Sequence, residues 1–406
     1  PLLDPRFPER RSRLLHLTRQ AYRRVLSSED AYREELVRLF HPLRSPRGVG
    51  ESLPALAARS AEYLAEADVY LDSLVDLLPA ESRDAVRILE SVRGSMDLRE
   101  LLGLAFAGAD ERECYEARRK LCLAQLLLRI DQSRLVQDGL RHLRFFEGIL
   151  AEGLWRHTRQ VHELTVGFHL AEDRHRIEYT SRPREGDQRW EFRSTFLEKK
   201  QGDETVSLDI LYHNCRFKRS VNPVSFEIVD GSHRVLEQVR WGEMKTRSSG
   251  SLLSKMIRKG INNPDEIGDI IGAMFIVADD DALNDLLALL DASLGTPFGW
   301  RNVTDTLSAE PGGDGLNAWS SRDYKVFKGD VDILARAPLS GSLYRFPVEI
   351  QIYTLEAFLR TVCGAHDASH LALTQRQVLF GLVPRVFPRE SFGVSWLDLG
   401  GRNGRS

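Results

Sequence analysis

One apolar run constrains the fold of this chain more than any other stretch. Asp269 opens the run DIIGAMFIVA, in which both sets of alternating positions are apolar. A strand with two apolar faces is covered on both sides, so the run predicts the central strand of a sheet. Asp269 then stands at the start of a buried strand, where a carboxylate can hold a divalent ion.

The segment before this strand predicts another strand, a turn and a basic helix. Val239 to Arg247 alternates as a strand does, and Ser248 to Ser251 is a turn that can cap a helix starting near Leu252. Gly260 and Pro264 are expected to end that helix. The free backbone N–H groups at the start of such a helix can bind an anion.

One face of the predicted helix is cationic and the other is apolar. Ser251, Lys255 and Arg258 recur at i, i+4 and i+7, as the residues of one helix face do. The apolar residues occupy the other side: Leu252, Leu253, Met256 and Ile257. With Lys245 and Arg247 just before it, the cationic face is a candidate polyphosphate site, and the alternative is an ordinary solvated helix surface.

Two later segments predict strands that could complete such a site. In FPVEIQIYT the apolar residues alternate with Glu349 and Gln351, so one face enters a core and the other faces out. The run RDYKVFK also alternates, and its Tyr324 could stack on a base while Lys325 and Lys328 could meet phosphate. The alternative for both segments is the ordinary exposed face of an antiparallel strand.

Taken in order along the chain, these motifs resemble the synthetase domain of the RelA/SpoT alarmone synthetases. The resemblance covers about residues 225–385 and is carried by Lys245-Thr-Arg247, Ser251, Lys255, Asp269-Ile-Ile-Gly272, Tyr324 and Val348-Glu349-Ile-Gln351-Ile-Tyr-Thr354. It implies an α+β fold with a nucleotidyltransferase-like mixed sheet and flanking helices. It also implies transfer of pyrophosphate from ATP to the 3′-hydroxyl of a nucleotide.

The resemblance also implies a role for each matching residue. Asp269 and Glu349 would hold Mg²⁺, and Glu349 would act as the general base toward the attacking hydroxyl. The ATP would be bound by Lys245, Arg247, Ser251, Lys255 and Arg258. The acceptor would be bound by Tyr324, Lys325, Lys328 and Gln351. Positioned cations and a metal ion suit this reaction, because it spreads negative charge over several phosphate oxygens.

Several family positions hold different residues in this chain. Lys245 replaces the first Arg of the usual Arg-x-Lys pair, and Met274 replaces an Arg that follows the Asp-Ile-x-Gly run. Lys328 stands in place of a His, and Tyr353 in place of the Arg of Gln-Ile-Arg-Thr. Since Arg and Lys differ in bidentate contact, a second hypothesis stays open. It is a catalytically degenerate protein that binds nucleotide or RNA and regulates through its other modules.

Two further candidates rank below the pair Asp269 and Glu349. Asp330 and Asp332 fall on one face of a predicted strand, which gives a rival metal site for ordinary nucleotidyl transfer. His366 and His370 have the i, i+4 spacing of a zinc-binding helix. For the two histidines an Asp replaces the usual Glu, and no third ligand follows.

The composition predicts a soluble, cytoplasmic protein. The net charge of −3 argues against a surface that binds nucleic acid throughout, while 42% hydrophobic and 28% charged residues are ordinary for a globular protein. No apolar run approaches the roughly 20 residues that span a bilayer, and the first residues lack a signal-peptide core. The four cysteines form no Cys-x-x-Cys pair, so free thiols are expected.

The residue pattern changes twice and predicts three domains and a tail. Residues 1–165 show apolar spacings of three and four, which predict a bundle of five or six helices with a regulatory or partner-binding role. Residues 166–240 alternate in short runs and predict a β-rich accessory module. Residues 241–385 would form the synthetase-like domain, and residues 386–406 a tail that is loose from Ser391.

We therefore expect a Mg²⁺-dependent pyrophosphotransferase that uses ATP and acts on a nucleotide, on tRNA or on another RNA end. The N-terminal helices contain no visible His…His-Asp…Asp hydrolase half, so the enzyme would only synthesise. Such an enzyme would be a stringent-response signal producer, or a toxin or defence effector. The acceptor and the oligomeric state stay open.

Overall fold

The chain folds into two compact units. The structure is a computed structural model that describes residues 8–41, 50–76, 78, 80–165, 167–169, 176–178, 182–184, 189–191, 193–199, 208–217, 225–229, 235–240, 250–295, 299–306, 326–337, 341–358 and 377–396. The first unit comprises Pro1–Ser133, Met244–Glu266 and Gln377–Ser406, and the second comprises Arg134–Glu243 and Ile267–Arg376.

The first unit is helical, as the apolar spacing of its N-terminal residues predicts. The helices of both units, in chain order, are α1 (Pro8–Val25), α2 (Glu29–Phe40), α3 (Leu53–Asp76), α4 (Ala80–Arg83), α5 (Glu90–Gly94), α6 (Leu98–Ala107), α7 (Glu111–Gln132), α8 (Arg134–Gln137), α9 (Gly139–Glu152), α10 (Leu154–His157), α11 (Gly250–Lys259), α12 (Asp280–Leu294), α13 (Val383–Val386) and α14 (Arg389–Phe392). No described helix has both the length and the apolar character needed to cross a membrane.

A buried ion pair joins α3 and α7 within the first unit. The Nζ atom of Lys120 donates to Asp68 Oδ2 at 2.7 Å and to the carbonyl oxygens of Val92, Arg93 and Ser95 at 2.9, 3.1 and 2.9 Å. Burial raises the pKa of Asp68 to about 6 and lowers the pKa of Lys120, while their attraction opposes both shifts. At pH 7 the Asp68 carboxylate is therefore ionised beside the ammonium group.

The C-terminal segment up to Trp396 is packed rather than loose. Phe387, Phe392 and Trp396 are buried, and the guanidinium of Arg119 lies 4.8 Å from the ring centre of Phe387 and 5.2 Å from that of Phe392. The expectation of a loose tail from Ser391 is wrong for this part, because its aromatic residues cover a buried arginine. Residues 397–406 lie outside the described part.

The second unit is built on a five-stranded mixed sheet. The strands of the chain are β1 (Thr158–Thr165), β2 (Gly167–His169), β3 (Arg176–Glu178), β4 (Arg182–Arg184), β5 (Arg189–Glu191), β6 (Arg193–Lys199), β7 (Leu208–Ile210), β8 (Tyr212–Phe217), β9 (Ser225–Val229), β10 (Val235–Arg240), β11 (Ile271–Val277), β12 (Trp300–Asp305), β13 (Phe327–Arg336) and β14 (Leu343–Thr354). The five-stranded sheet has the order β12-β13-β14-β11-β8, in which only β11 and β14 are parallel neighbours. The predicted α+β class, with a mixed sheet and flanking helices, is confirmed.

The predicted central strand is β11. It lies between β14 and β8, and six of its seven residues are buried. The remaining strands form smaller sheets in the orders β6-β1-β7, β10-β9-β3-β2 and β4-β5, so the alternating runs between residues 166 and 240 do form strands. One run, YHNCRF, is instead the edge strand β8 of the five-stranded sheet.

The compact units do not follow the sequence-based boundaries at residues 165, 240 and 385. The N-terminal run of helices ends at His157, and strand β1 begins at Thr158, whose hydroxyl donates to the Leu154 carbonyl oxygen at 2.9 Å. Helices α8 to α10 belong to the second unit, with the sheet, rather than to the N-terminal bundle. The assignment of functional domains stays a prediction.

Helices α9, α10 and α12 cover one face of the five-stranded sheet. The ring of His142 on α9 stacks on Phe346 at 4.3 Å, and Trp155 on α10 meets His213 at 5.2 Å. The alternate residues Val348, Ile350 and Ile352 of β14 are fully buried on this face. The other face carries the polar positions of the same strands, as expected from their period of two.

His142 should make the stability of the chain fall at acid pH. Burial lowers its pKa to about 4, against a usual 6.5, and its Nε2 lies 2.7 Å from the Tyr344 hydroxyl. The unfolded chain then binds more protons than the folded chain between pH 6.5 and 4, so the free energy of unfolding falls as the pH drops through this range. Between pH 7 and 5 we expect His142 to contribute a loss of about 2 kcal/mol.

Urea unfolding of wild type and His142→Phe at both pH values measures this contribution. The phenyl ring keeps the stacking on Phe346 but cannot titrate, so the variant should lose less stability than wild type between pH 7 and 5. Exposed Leu140→Gln on α9 changes no titrating group, so it is the matched control and should keep the wild-type slope. Equal slopes in wild type and His142→Phe would contradict the prediction.

Candidate active site

Glu349 on β14 is a buried carboxylate whose two oxygens are both engaged. It is 4% exposed, and it forms an ion pair with Lys328 of the neighbouring strand β13. Gln351 Nε2 donates to the other oxygen, Oε1, at 2.7 Å, and the Gln351 Oε1 atom accepts from the Tyr353 hydroxyl at 3.3 Å. A chain of three side chains on one strand therefore fixes the orientation of Glu349, a type of support that catalytic carboxylates require.

Two of the residues predicted to bind the acceptor thus lie next to the predicted base. Lys328 and Gln351 are register partners on β13 and β14, and both contact Glu349. The sequence predicted that Glu349 and Gln351 face outward. Glu349 is instead nearly fully buried, because β13 and β11 flank it and its neighbours cover its carboxylate. A role for Lys328 and Gln351 in acceptor binding stays a prediction.

Glu349 belongs to a row of register partners that crosses all five strands. Register partners on neighbouring strands present their side chains on the same face of a sheet. The row, from β12 to β8, is Arg301, Asp330, Glu349, Gly272 and Arg216. It brings two buried carboxylates side by side, flanked by a glycine and by an arginine at each edge.

Asp269 lies at the turn that enters β11 and is 5% exposed. The turn packs against β13, since a Cβ added to Gly268 would lie only 2.7 Å from the Asp330 Oδ2 atom. The Cα atom of Asp269 is about 3.8 Å from that of Gly268. Asp269, Asp330 and Glu349 therefore come from chain segments that meet at one place on the sheet.

The two carboxylates of the rival pair, Asp330 and Asp332, contact different residues. Asp332 forms ion pairs with Arg301 and, at 3.6 Å, with Arg345, so its charge is balanced by two arginines. Asp330 instead accepts a hydrogen bond of 2.8 Å from Asn302 Nδ2. Asp330 thus joins the Glu349 site, whereas Asp332 is held in an ion-pair network.

Asn302 has an unusual backbone that serves this contact. Its φ of 51° lies in the left-handed region, and it is at the register shift between Arg301 and Thr304 on β12. Asparagine tolerates this conformation better than most residues do, and bulges commonly redirect a side chain next to functional sites. Here the redirected amide reaches Asp330.

Oxygen donors of this kind suit a magnesium ion. Mg²⁺ is usually held by one or two carboxylates, with phosphate and water oxygens completing an octahedron. The carboxylates of Glu349 and Asp330, with the Asp269 turn beside them, fit that requirement. No group of three or more His, Cys, Asp and Glu residues is arranged as a metal site in the described part of the chain.

Met274 lies in an apolar environment beside the carboxylate row. It is the register partner of Gln351 and packs against a buried cluster that contains Ile276, Val326 and Tyr353. An arginine at this position would have to place its charge next to that cluster. The structure therefore accounts for a methionine where the RelA/SpoT pattern has an arginine, and β11 itself supplies no cation.

The basic helix is observed in the first unit as α11. It begins at Gly250, close to the predicted start, and Gly260 ends it with a φ of 69°. Its predicted apolar side is buried throughout: Leu252, Leu253, Met256 and Ile257. The side chain of Arg258 is half-buried against Gly381, and burial followed by repulsion from Arg385 lowers its pKa. Lys255 is partly exposed.

Other predicted residues lie outside the described part of the chain. They are Lys245, Arg247, Tyr324, Lys325, His366 and His370. The backbone of Ser251 is in α11, but its side chain is likewise outside the description. Their roles stay predictions.

Comparison with solved structures finds similarity to alarmone synthetases. The small alarmone synthetase 1 of Bacillus subtilis, bound to its product pppGpp, is 17% identical over 48% of this chain and 80% of that chain, with a TM-score of 0.27. A GTP pyrophosphokinase family protein of Streptococcus pneumoniae is 17% identical over 49% of this chain and 71% of that chain, with a TM-score of 0.25. No protein-family profile and no curated protein matches the chain. Both matches have low identity and cover about half of this chain.

Proposed function

We propose that the protein is a Mg²⁺-dependent pyrophosphotransferase that moves the β- and γ-phosphates of ATP to the 3′-hydroxyl of a nucleotide or of an RNA end. The observation that carries the proposal is the meeting of Glu349, Asp330 and the Asp269 turn on one face of a mixed sheet. Isolated buried carboxylates are costly, so several at one place indicate a site that binds a cation.

Glu349 is the proposed general base. In the reaction the 3′-oxygen of the acceptor attacks the β-phosphorus of ATP, the bond from that phosphorus to the α,β-bridging oxygen breaks, and AMP leaves. The hydroxyl proton passes to a Glu349 carboxylate oxygen, which Gln351 and Tyr353 hold in a fixed orientation. A bound Mg²⁺, held by Glu349 with Asp269 or Asp330, would neutralise charge on the phosphate oxygens.

The proposal assigns ATP binding to Lys245, Arg247, Ser251, Lys255 and Arg258. Tyr324 and Lys325 are the proposed acceptor-binding residues, together with Lys328 and Gln351. Cations of this kind stabilise a transferring phosphoryl group because they are already in place when negative charge develops. ATP and nucleotide acceptors are cytoplasmic metabolites, and we propose that the protein acts there, as a stress signal producer or a toxin or defence effector.

A second candidate function is nucleotide or RNA binding without catalysis. It is favoured by one observation, that Lys328 and Gln351 occupy both oxygens of Glu349. Incubation with γ-labelled ATP, Mg²⁺ and GDP, GTP, ADP, ATP or tRNA separates the two. Label on an acceptor together with AMP release supports pyrophosphate transfer. Nucleotide binding with no product supports the regulator, and release of pyrophosphate would point to nucleotidyl transfer at Asp330.

Lys328 should compete with a divalent cation for Glu349. We expect Lys328→Gln to bind Mn²⁺ about 10-fold more tightly than wild type when no nucleotide is present, because the variant removes a positive charge from the carboxylate. Electron paramagnetic resonance of free Mn²⁺ during a titration measures the dissociation constant. Lys328→Arg keeps the charge and should bind as wild type does. An unchanged dissociation constant in Lys328→Gln would show that the ion pair does not compete with the metal.

A further inference from the structure

Arg216 lies on the edge strand β8 in the same row as Glu349. It is the register partner of Gly272, and Gly272 is in turn the register partner of Glu349. Neighbouring strands are about 4.8 Å apart, so the two backbones are separated by about 10 Å with only a glycine between them. An arginine side chain is long enough to extend across most of that distance.

Gly272 leaves the space that this extension needs. A Cβ added at Gly272 would lie 3.9 Å from the Nε atom of Arg216 and 3.6 Å from the carbonyl oxygen of Glu349. The guanidinium therefore begins directly beside the position that a side chain on β11 would occupy. A side chain larger than a methyl group at Gly272 would stand between Arg216 and Glu349.

Among the described residues Arg216 lacks a carboxylate partner, whereas three other cations on this face have one. Lys328 is paired with Glu349, and Arg301 and Arg345 are both paired with Asp332. Arg216 is exposed and makes no hydrogen bond or ion pair with any residue that the structure describes. It is thus a positive group available to a ligand, next to a row of buried negative groups.

We infer that Arg216 binds a phosphate group of a polyphosphate nucleotide at this row. The inference rests on the proposed function and adds a binding residue to it. A phosphate that approaches Glu349 and Asp330 is repelled unless cations face it, and the planar guanidinium can donate two hydrogen bonds to one phosphate. Arg216 provides from β8 the positive charge that β11, with Met274, does not supply.

Isothermal titration tests this role with two probes, the α,β-methylene analogue of ATP and inorganic tripolyphosphate. Arg216→Gln should weaken binding of both probes by about 10-fold to 100-fold, as loss of a charged hydrogen-bonding group does. Arg216→Lys should bind with intermediate affinity, because it keeps the charge but cannot donate the paired hydrogen bonds of the guanidinium. Arg336→Gln is the charge-matched control on β13, since Arg336 is exposed and makes one weak contact of 3.4 Å with Gly341.

Substitution of Gly272 gives a second test that leaves Arg216 in place. Gly272→Ala should bind as wild type does, because its Cβ would make only ordinary contacts at 3.6 and 3.9 Å. Gly272→Val suits a strand but fills the space beside the guanidinium, so it should weaken binding about as much as Arg216→Gln does. Circular dichroism melting confirms that both variants fold.

The results separate this inference from the proposed reaction. Weaker binding in Arg216→Gln and Gly272→Val supports the inference even when wild type transfers no pyrophosphate. In that case only the proposed function is contradicted. Equal affinities of wild type, Arg216→Gln and Arg336→Gln overturn it even when transfer is observed. A wild-type chain that binds neither probe overturns both.

Discussion

The Glu349→Gln variant is expected to transfer pyrophosphate at least about 1,000-fold more slowly than wild type. The substitution removes the proton acceptor and one negative charge while keeping the size of the side chain, and general-base catalysis contributes about 100-fold to 10,000-fold. The Gln351 amide can still donate to the oxygen that replaces Oε1, so the strand geometry should be preserved. The measurement is the rate of AMP release from ATP with the acceptor found in the product assay.

Three further carboxylate variants test which acidic side chains the transfer rate depends on. Asp330→Asn should lower the rate strongly, because Asp330 faces Glu349, whereas Asp332→Asn should lower it less, because Asp332 is neutralised by arginines. Exposed Asp285→Asn on α12 removes a carboxylate of the same unit and should leave the rate unchanged. A Glu349→Gln variant that keeps more than a tenth of the wild-type rate would exclude Glu349 as the base.

Lys120→Met is expected to destabilise the protein by about 3–5 kcal/mol. Removing one partner of a buried ion pair leaves the other charge without compensation, which has costs of this size. The variant also loses the hydrogen bonds that the ammonium group donates to three carbonyl oxygens. Urea unfolding at pH 7 measures the change, and exposed Lys259→Met should change the free energy of unfolding by less than about 0.5 kcal/mol.

The pH dependence of the Lys120→Met variant provides a signature of the remaining partner. Burial raises the pKa of Asp68 to about 6 even beside Lys120, and loss of the ammonium group should raise it further. At Asp68 the folded variant then binds more protons than folded wild type between pH 7 and 5, so the destabilisation caused by Lys120→Met should shrink as the pH falls through this range. A destabilisation under 1 kcal/mol at pH 7, or one that grows relative to wild type toward pH 5, would contradict this account.

The sequence could predict the elements whose signal is local. The two apolar faces of β11, the alternation of β14 and the i, i+4, i+7 pattern of α11 are each written in a few consecutive residues, and all three elements form where predicted. Patterns of this kind reflect the geometry of one strand or helix against any apolar surface. They also placed Asp269 at the start of β11 and Glu349 on the face opposite the buried residues of β14.

Pairing between distant strands could not be predicted in the same way. From the sequence, Asp330 and Asp332 were a rival metal site to Asp269 and Glu349. Arg216 and Asn302 had no predicted role. Strand register, which no local pattern encodes, aligns Asp330 with Glu349. Asp332 instead forms ion pairs with two arginines. Long-range packing likewise places helices α8 to α10 in the unit that contains the sheet, and it buries the aromatic C-terminal segment.

The sequence by itself thus determined which strands and helices form and which of their faces are apolar, because the periods of a strand and of a helix are properties of the backbone. Only the tertiary structure decided which charges meet. Glu349 is buried, paired with Lys328 and aligned with Asp330, Gly272 and Arg216 because five strands from separate parts of the chain adopt one register.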